Sequence, residues 1–401
     1  MKLSRRTLLA SAIGSFFSSA FAVQKKIIGD SNENAYISRV SSLSDSIDDA
    51  YKESIFEASF SILTYLNKSK VTSLAILGKE VDVTAELKEI INKGIVKIYF
   101  PPQNGIYILA GDDITLPPGF SIFGDSKKLY NIKSSASFNN AGTVVRLSNK
   151  SDCLFKMTGN HVFYGVNFDG LNRQKFLMQS NGDRIRNCKF INCGFFRWKV
   201  GLGNAKYAST LSLFNCIVSS NYIGIMNIID SVIINTIINA NHKDGVRLMK
   251  GANNNTFIGV RNEWNGATNY YSSGGTQNII TGELIDRAGK NGVVACNGGS
   301  WVISGVVVKR SGRNASSESF DNAHFFIDGL KSSILLSGVK TVTGKDDDGT
   351  GNLSPQHTLI IGNNGAAKVI IGSSDLTGSV GTHIVGLDRI KEKSISESVD
   401  F

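Results

Sequence analysis

The chain has 401 residues, 41 of them glycine and five proline, and a formal charge of +10. Its basic residues are spread out and not gathered into a run with aromatics, which argues against nucleic-acid binding; the modest positive balance suits acidic partners, an acidic polysaccharide among them. One solenoid domain can absorb this length, because repeats bury their core turn by turn.

Residues 1–22 read as an export signal. Ser4-Arg5-Arg6-Thr7-Leu8-Leu9 precedes a weakly apolar run to Phe17 and then Ala20-Phe21-Ala22, a small-x-small cleavage site before Val23. The arginine pair resembles the twin-arginine signal, with Leu8 in the usual place of Phe and Ala10 in the place often held by Lys; a Sec signal is the alternative. The run is too short to span a bilayer and no Cys follows it, so the expectation is a periplasmic protein without a stable membrane anchor. Without Lys2, Arg5 and Arg6 the charge falls to about +7.

Residues 23–80 form an N-terminal helical and linker segment in this reading. Ile47, Tyr51, Ile55, Ala58 and Ile62 are spaced as one face of a helix over 44–66. A second helix is predicted from Asp82 to Gly94, capped by Asp or Thr in front and by Gly behind, and it leads into the strand Ile95 to Phe100, stopped by Pro101-Pro102. A solenoid must block its open end against edge pairing, and these helices serve as that cap.

Residues 81–386 are predicted to be an all-β, right-handed, single-stranded parallel β-helix, followed by a tail over 387–401. The clearest signal runs from Asn255 to Gly312, where Gly259, Gly282 and Gly305 recur every 23 residues, as do Gly266, Gly289 and Gly312. Equivalent residues on successive turns then stack about 4.8 Å apart, so sequence columns become surface rows. Turns are expected to start near Gly165, Asn187, Asn215, Thr236, Gly259, Gly282, Gly305, Gly338 and Gly372. The longer intervals after Gly305 match polar insertions at Arg313 to Asn322 and Lys345 to Ser354, which repeat proteins extrude as loops. The second carries Asp346-Asp347-Asp348 on consecutive positions, unlike the alternating ligands of a calcium loop. Of the five cysteines, Cys188 and Cys216 each follow an Asn that opens a turn and are expected in one inward column as small hydrophobes; no Cys/His spacing suits zinc, and no cofactor is expected.

Chemistry is expected on the outer wall. Val260 and Val306 point inward, so the fourth position of each repeat points out: Asp169, Ala240, Glu263, Asp286 and Lys309. Glu263 and Asp286 are thereby neighbours one rung apart, their carboxyls roughly 5–8 Å from each other, a range that covers both geometries of glycoside hydrolysis. Asp169, four rungs away at about 19 Å, cannot join them. Repulsion favours one protonated and one charged acid, and Lys309 beside Asp286 assigns the charge to Asp286, leaving Glu263 as the acid. Trp264, Tyr270 and Tyr271 offer flat surfaces for sugar rings, and Arg261, Arg287 and Lys309 complete the expected substrate-binding set. His242, Asp244, Asp321, His324 and Asp328 are weaker candidates that could equally cap turns. A solvated charge row is the competing reading of the pair.

The segments Asp82-Val83-Thr84-Ala85, Ile98-Tyr99-Phe100-Pro101-Pro102, Gly105-Ile106-Tyr107, Asn262-Glu263-Trp264-Asn265-Gly266, Ile280-Thr281-Gly282 and Asp286-Arg287 resemble the pectate-lyase-like β-helix superfamily over residues 72–385, in particular its phage-tailspike-like branch. That resemblance implies binding, and often cleavage, of a bacterial surface polysaccharide by outer-face carboxylates, here Glu263 and Asp286, and a homotrimer as in tailspike relatives. The calcium-binding Asp cluster and partnered Arg of pectate lyases are not evident. With its arginine pair the chain is also similar to exported β-helix proteins of amylovoran- and colanic-acid-type exopolysaccharide pathways. This implies a periplasmic role in processing or trimming polysaccharide repeat units, with the acidic exopolysaccharide or its repeat unit as partner; the alternatives are a glycan-guiding protein without turnover and a tailspike-like polysaccharide depolymerase.

Overall fold

A computed structural model describes residues 60–396, except 131, 133, 182 and 183. The export signal and the part of the first predicted helix up to residue 59 lie outside them. The described chain is a right-handed parallel β-helix. Each coil gives three short strands, for example Thr256–Ile258, Arg261–Glu263 and Tyr270–Ser273. The middle strands stack into an 11-stranded sheet. The first and third strands form two stacks that merge into one 21-stranded sheet, because Ala323–Ser337 and His357–Gly372 bend round the corner and belong to both.

The 23-residue repeat is the register of the sheets: Thr256 pairs with Ile279, Glu263 with Asp286, and Tyr270 with Val293. Past Gly305 the register jumps: Lys309 pairs with Val342 across the first insertion, and Phe325 with Leu359 across the second. Gly259, Gly282 and Gly305 sit at φ of 60°, 64° and 61°, making the bend between the first and second strands. A Cβ at Gly259 or Gly305 would meet nothing within 4 Å, so the left-handed backbone, and not space, selects glycine there. Asn192, Asn215 and Asn235 make the same bend with positive φ, and the Asn215 side chain donates to Asn192 at 2.6 Å.

Inside the coil, apolar rows are interrupted by asparagine ladders. Asn221 donates to Asn241 at 3.1 Å and Asn241 to Asn265 at 2.9 Å, all fully buried at the corner after the second strand. Each ladder residue accepts a corner N–H as well, as Asn265 does from Asn241, so it satisfies backbone groups that the bend takes out of the sheet. Phe163 stacks on Phe190 at 4.9 Å in the wider coils.

The predicted second helix is present as Thr84–Asn92 and plugs the first coil with Leu87 and Ile90. Over 60–66, however, the chain is the strand Phe60–Ser61, paired with Ile98 and Tyr99, and then a 3-10 turn; the helix nearby is Lys68–Ala75. The coil also outruns its expected end at 386, for Ile390–Ile395 pairs with Ala366 to Ile371. The cysteines need a second correction. Asn187 and Asn215 open different corners, so Cys216 lies beside Cys193, where Gly194 pairs with Ile217, while Cys188 stacks with Leu211. All five cysteines are buried and none is in a disulfide.

Candidate functional site

The outer face of the middle sheet carries the predicted row. Asn239, Glu263, Asp286 and Lys309 are consecutive register partners at the ends of their strands, with Asn239 in the place expected for Ala240 because that turn bends at Asn235 and not at Thr236. The next residue of each coil takes the left-handed conformation: Ala240, Trp264, Arg287 and Arg310 at φ of 52°, 57°, 47° and 47°. Left-handed backbone is costly for side chains of this bulk. It is held by the buried ladder residues that follow, Asn241 and Asn265, and it turns Trp264, Arg287 and Arg310 into a second outward row beside the acids.

The acids are stacked as expected, yet they are not bare. Glu263 is 5 % and Asp286 2 % exposed, beneath a layer of guanidinium groups. Asp286 Oδ1 accepts from Arg310 Nε at 3.0 Å, and Oδ2 accepts from Arg310 Nη2 at 2.6 Å and from Arg287 Nη1 at 2.7 Å. Its charge is thus balanced by two arginines and not, as expected from the sequence, by Lys309. Glu263 pairs with Arg261 at 3.0 Å through Oε1, while its buried Oε2 has no hydrogen-bond partner among the described residues. The guanidinium groups of Arg287 and Arg313 lie over the Trp264 ring, 4.7 Å and 5.0 Å from its centroid. The Lys345 to Ser354 insertion closes over this group: Asp347 binds Arg287 Nη2 and, at 3.0 Å, Arg310 Nη1. The Arg310 guanidinium holds the Asp347 carboxyl below the usual carboxylate range. The insertion is therefore docked and is not solvated decoration.

Tyr270 does not belong to this wall. It is fully buried, its ring packed edge-on to Phe257 and Trp301, and its hydroxyl donates to Glu283 Oε2 at 2.6 Å inside the coil. The six residues between Glu263 and Tyr270 reset the in/out alternation, and this misdirects the expectation. Tyr271 alternates outward and carries the Arg247 guanidinium over its ring at 4.8 Å, on a different sheet from the acids. Sequence reasoning missed Glu283, which occupies the inward column between Val260 and Val306; burial holds its carboxyl well above the usual range. It also missed Arg310 and Arg313. The signal for Arg310 is positional, since it follows Lys309 at the place that Trp264 and Arg287 hold in earlier turns.

The weaker candidates are structural. Asp244 accepts from Thr268 N at 3.1 Å and Arg247 Nε at 2.5 Å, and Asp328 accepts twice from Asn364. Asp321 pairs with Lys290, while His242 is exposed. His324 is enclosed between Ser311 and Gly378, and burial lowers its pKa to about 3. Asp169 sits four rungs from Glu263, fully buried between Arg146 and Arg197, in a separate ion-pair cluster. Among the described residues no group of three or more His, Cys, Asp or Glu is placed to hold a metal ion.

These features define a β-helix with one concentrated array of acids, arginines and an indole on its outer wall. No family model matches the chain. In fold it is similar to the A-module of the mannuronan C-5 epimerase AlgE6 of Azotobacter vinelandii, with a TM-score of 0.55 and 12 % identity over 85 % of this chain and 99 % of that one. It is also similar to DFA-IIIase from Arthrobacter chlorophenolicus A6 in complex with GF2, with a TM-score of 0.52 and 12 % identity over 84 % of this chain and 92 % of that one. A third likeness is to tailspike protein 2 of an Escherichia coli O157:H7 bacteriophage, with a TM-score of 0.53 and 13 % identity over 73 % of this chain and 40 % of that one. At these identities the likeness is one of fold.

Proposed function

We propose that the protein processes an acidic polysaccharide on the outer wall of the middle sheet, with Glu263 as proton donor and Asp286 as the second carboxylate of glycosidic bond cleavage. The observation that carries this reading is the register of Glu263 on Asp286 beside Trp264, which sets two acids one rung apart next to an indole ring. Glu263 Oε2 has no hydrogen-bond partner among the described residues, and it reaches the bridging oxygen of a bound glycan once the guanidinium cover is drawn aside. Asp286, charge-balanced by Arg287 and Arg310, suits the role of the ionised partner. Fold neighbours that include a mannuronan epimerase and a DFA-IIIase lend general support. One observation favours a second reading, glycan guiding without turnover: Arg287 and Arg310 already engage both oxygens of Asp286.

Purified exopolysaccharide incubated with wild type and with Glu263→Gln separates the two. New reducing ends from the wild type alone support cleavage, and equal binding without products supports guiding. In the fuller form of the reading, the chain is exported through its twin-arginine-like segment, cut after Ala22, and works in the periplasm as a homotrimer in an exopolysaccharide pathway of the amylovoran or colanic acid type. Sequencing the mature N-terminus and sedimentation analysis check those parts.

A further inference from the structure

We infer that Arg287 and Arg310 form a subsite for the carboxylate of an acidic sugar, and that Asp347 of the chain's own insertion occupies this subsite until the sugar displaces it. The inference rests on the polysaccharide reading above and deepens it.

The charge on the wall motivates it. Asp286 is fixed beneath the two guanidiniums and satisfies one positive charge of the two. The remaining donors point outward, and Asp347 takes one from each arginine, Nη2 of Arg287 and Nη1 of Arg310. Two converging guanidinium N–H groups suit a planar carboxylate, whether on a side chain or on a uronate ring. Arg287 is 3 % exposed, and its Nε has no hydrogen-bond partner among the described residues; Asp346 comes only to 3.6 Å. A buried, unpaired donor on a charged group is expensive, and an incoming anion with more than one oxygen can satisfy it. Trp264 packs against the same guanidinium and helps to fix it in place.

Asp347 is poorly equipped to hold this position. Its side chain is 78 % exposed, and an ion pair that open to water contributes little. From Lys345 to Asn352 the loop has no apolar residue to anchor it on the wall. Its turn is closed by its own bonds, Gly349 N to Asp346 O at 2.9 Å and Asp348 Oδ1 to Thr350, and the bridge between Gly344 and Ser354 marks its base. The loop can therefore lift as a unit without breaking the coil, giving up the Asp347 ion pairs, the Asp346 contact and the bond that Arg310 Nη1 donates to Lys345 O at 3.2 Å. Arg287 and Arg310, in contrast, are fixed by Asp286 and by the rung, and they stay in place as receptors.

Binding of polygalacturonate, alginate and neutral dextran to wild type, Asp347→Asn and the Asp346→Asn/Asp347→Asn double variant tests this. Removing a self-ligand whose two hydrogen bonds lie open to water is expected to tighten binding of an acidic polymer by up to about fivefold, with no change for dextran and with the gain fading at high salt. Thermal melting confirms that each variant remains folded. Unchanged affinity in folded variants, alongside wild-type binding to acidic polymer or products from it, overturns the subsite and leaves the polysaccharide reading standing. Absence of both binding and products in every form overturns the two together.

Discussion

Glu283 shows at the scale of one residue how a solenoid tolerates what a globular core resists. Its carboxyl replaces the valine of neighbouring turns and is enclosed with Tyr270, whose hydroxyl is its single side-chain partner; Oε1 has none among the described residues. Burial raises its pKa well above the ordinary value of 4.5, with the Tyr270 hydrogen bond opposing the shift. In the folded state the proton is then retained over a range in which the unfolded chain has lost it. The sign follows: stability is greatest below the unfolded pKa and falls as pH rises from there towards the folded pKa, at about 1.4 kcal/mol per pH unit. Glu283→Gln, which keeps the shape and an acceptor for Tyr270, should remove that slope. Urea titrations at pH 5 and pH 8 should show a smaller difference between the two pH values for the variant than for the wild type, and an equal slope in both would mean that Glu283 is charged in the fold. The sequence conceals this because the inward position is inferred from Val260 and Val306, and Glu283 breaks their apolar pattern. The acid pair is legible for the converse reason, since two columns of one repeat fix a register whatever fills them. Its cover of arginines is not, as Arg310 gains meaning only once the residue after each strand is known to swing outward.

The corner is the element that generates the coil, and two glycine columns enter it for different reasons. Gly259 needs only its left-handed backbone, as a Cβ would meet open space. Gly289 needs closeness, because a Cβ there would fall 2.1 Å from the carbonyl oxygen of Gly266 on the preceding turn. Gly259→Ala should therefore cost about 1 kcal/mol, the conformational term alone. Gly289→Ala should cost clearly more, since two rungs must separate. Chemical denaturation of both variants decides it: similar losses would show that the second column is set by dihedral preference as well. This distinction explains which parts of the fold could be read. A column of Gly or Asn signals a bend but does not say which bend, so Cys188 is expected with Cys216 although one follows the corner before the first strand and the other the corner after it. The 23-residue spacing identifies the sheets because strands of three or four residues leave no freedom in pairing. Where six or more residues join two strands, as before Tyr270, the alternation restarts and facing is lost.

At the scale of the whole coil, the described residues stack into rungs with a first and a last strand, and each end meets the edge problem differently. The first coil is plugged by Thr84–Asn92 and Lys68–Ala75, whose apolar residues join the central core. The last is covered by Ile390–Ile395, in which Lys391, Glu392 and Lys393 place charges on an outermost strand, and Glu392 reaches Lys368 at 3.6 Å. Charged outer strands discourage pairing with another chain. In the sequence this stretch reads as a tail because it has no apolar period, whereas its charges are what an edge strand requires. Ending the chain at Gly386 would expose the strand Ala366 to Ile371, whose Val369 and Ile371 are buried beneath that cover. Rungs interact chiefly with their neighbours, so the loss should stay local, with far-ultraviolet circular dichroism little changed. Association should change instead: light scattering should rise with concentration for the truncated protein under conditions where the full chain does not self-associate. Replacing Ile285 by Asp, in the middle of the column, should give the opposite result, since an unpaired charge in the core severs neighbouring coils and the dichroism signal should collapse with it. A truncated protein that remained as dispersed as the full chain would show that the exposed strand protects itself, and that the charged strand serves some purpose other than closing the column.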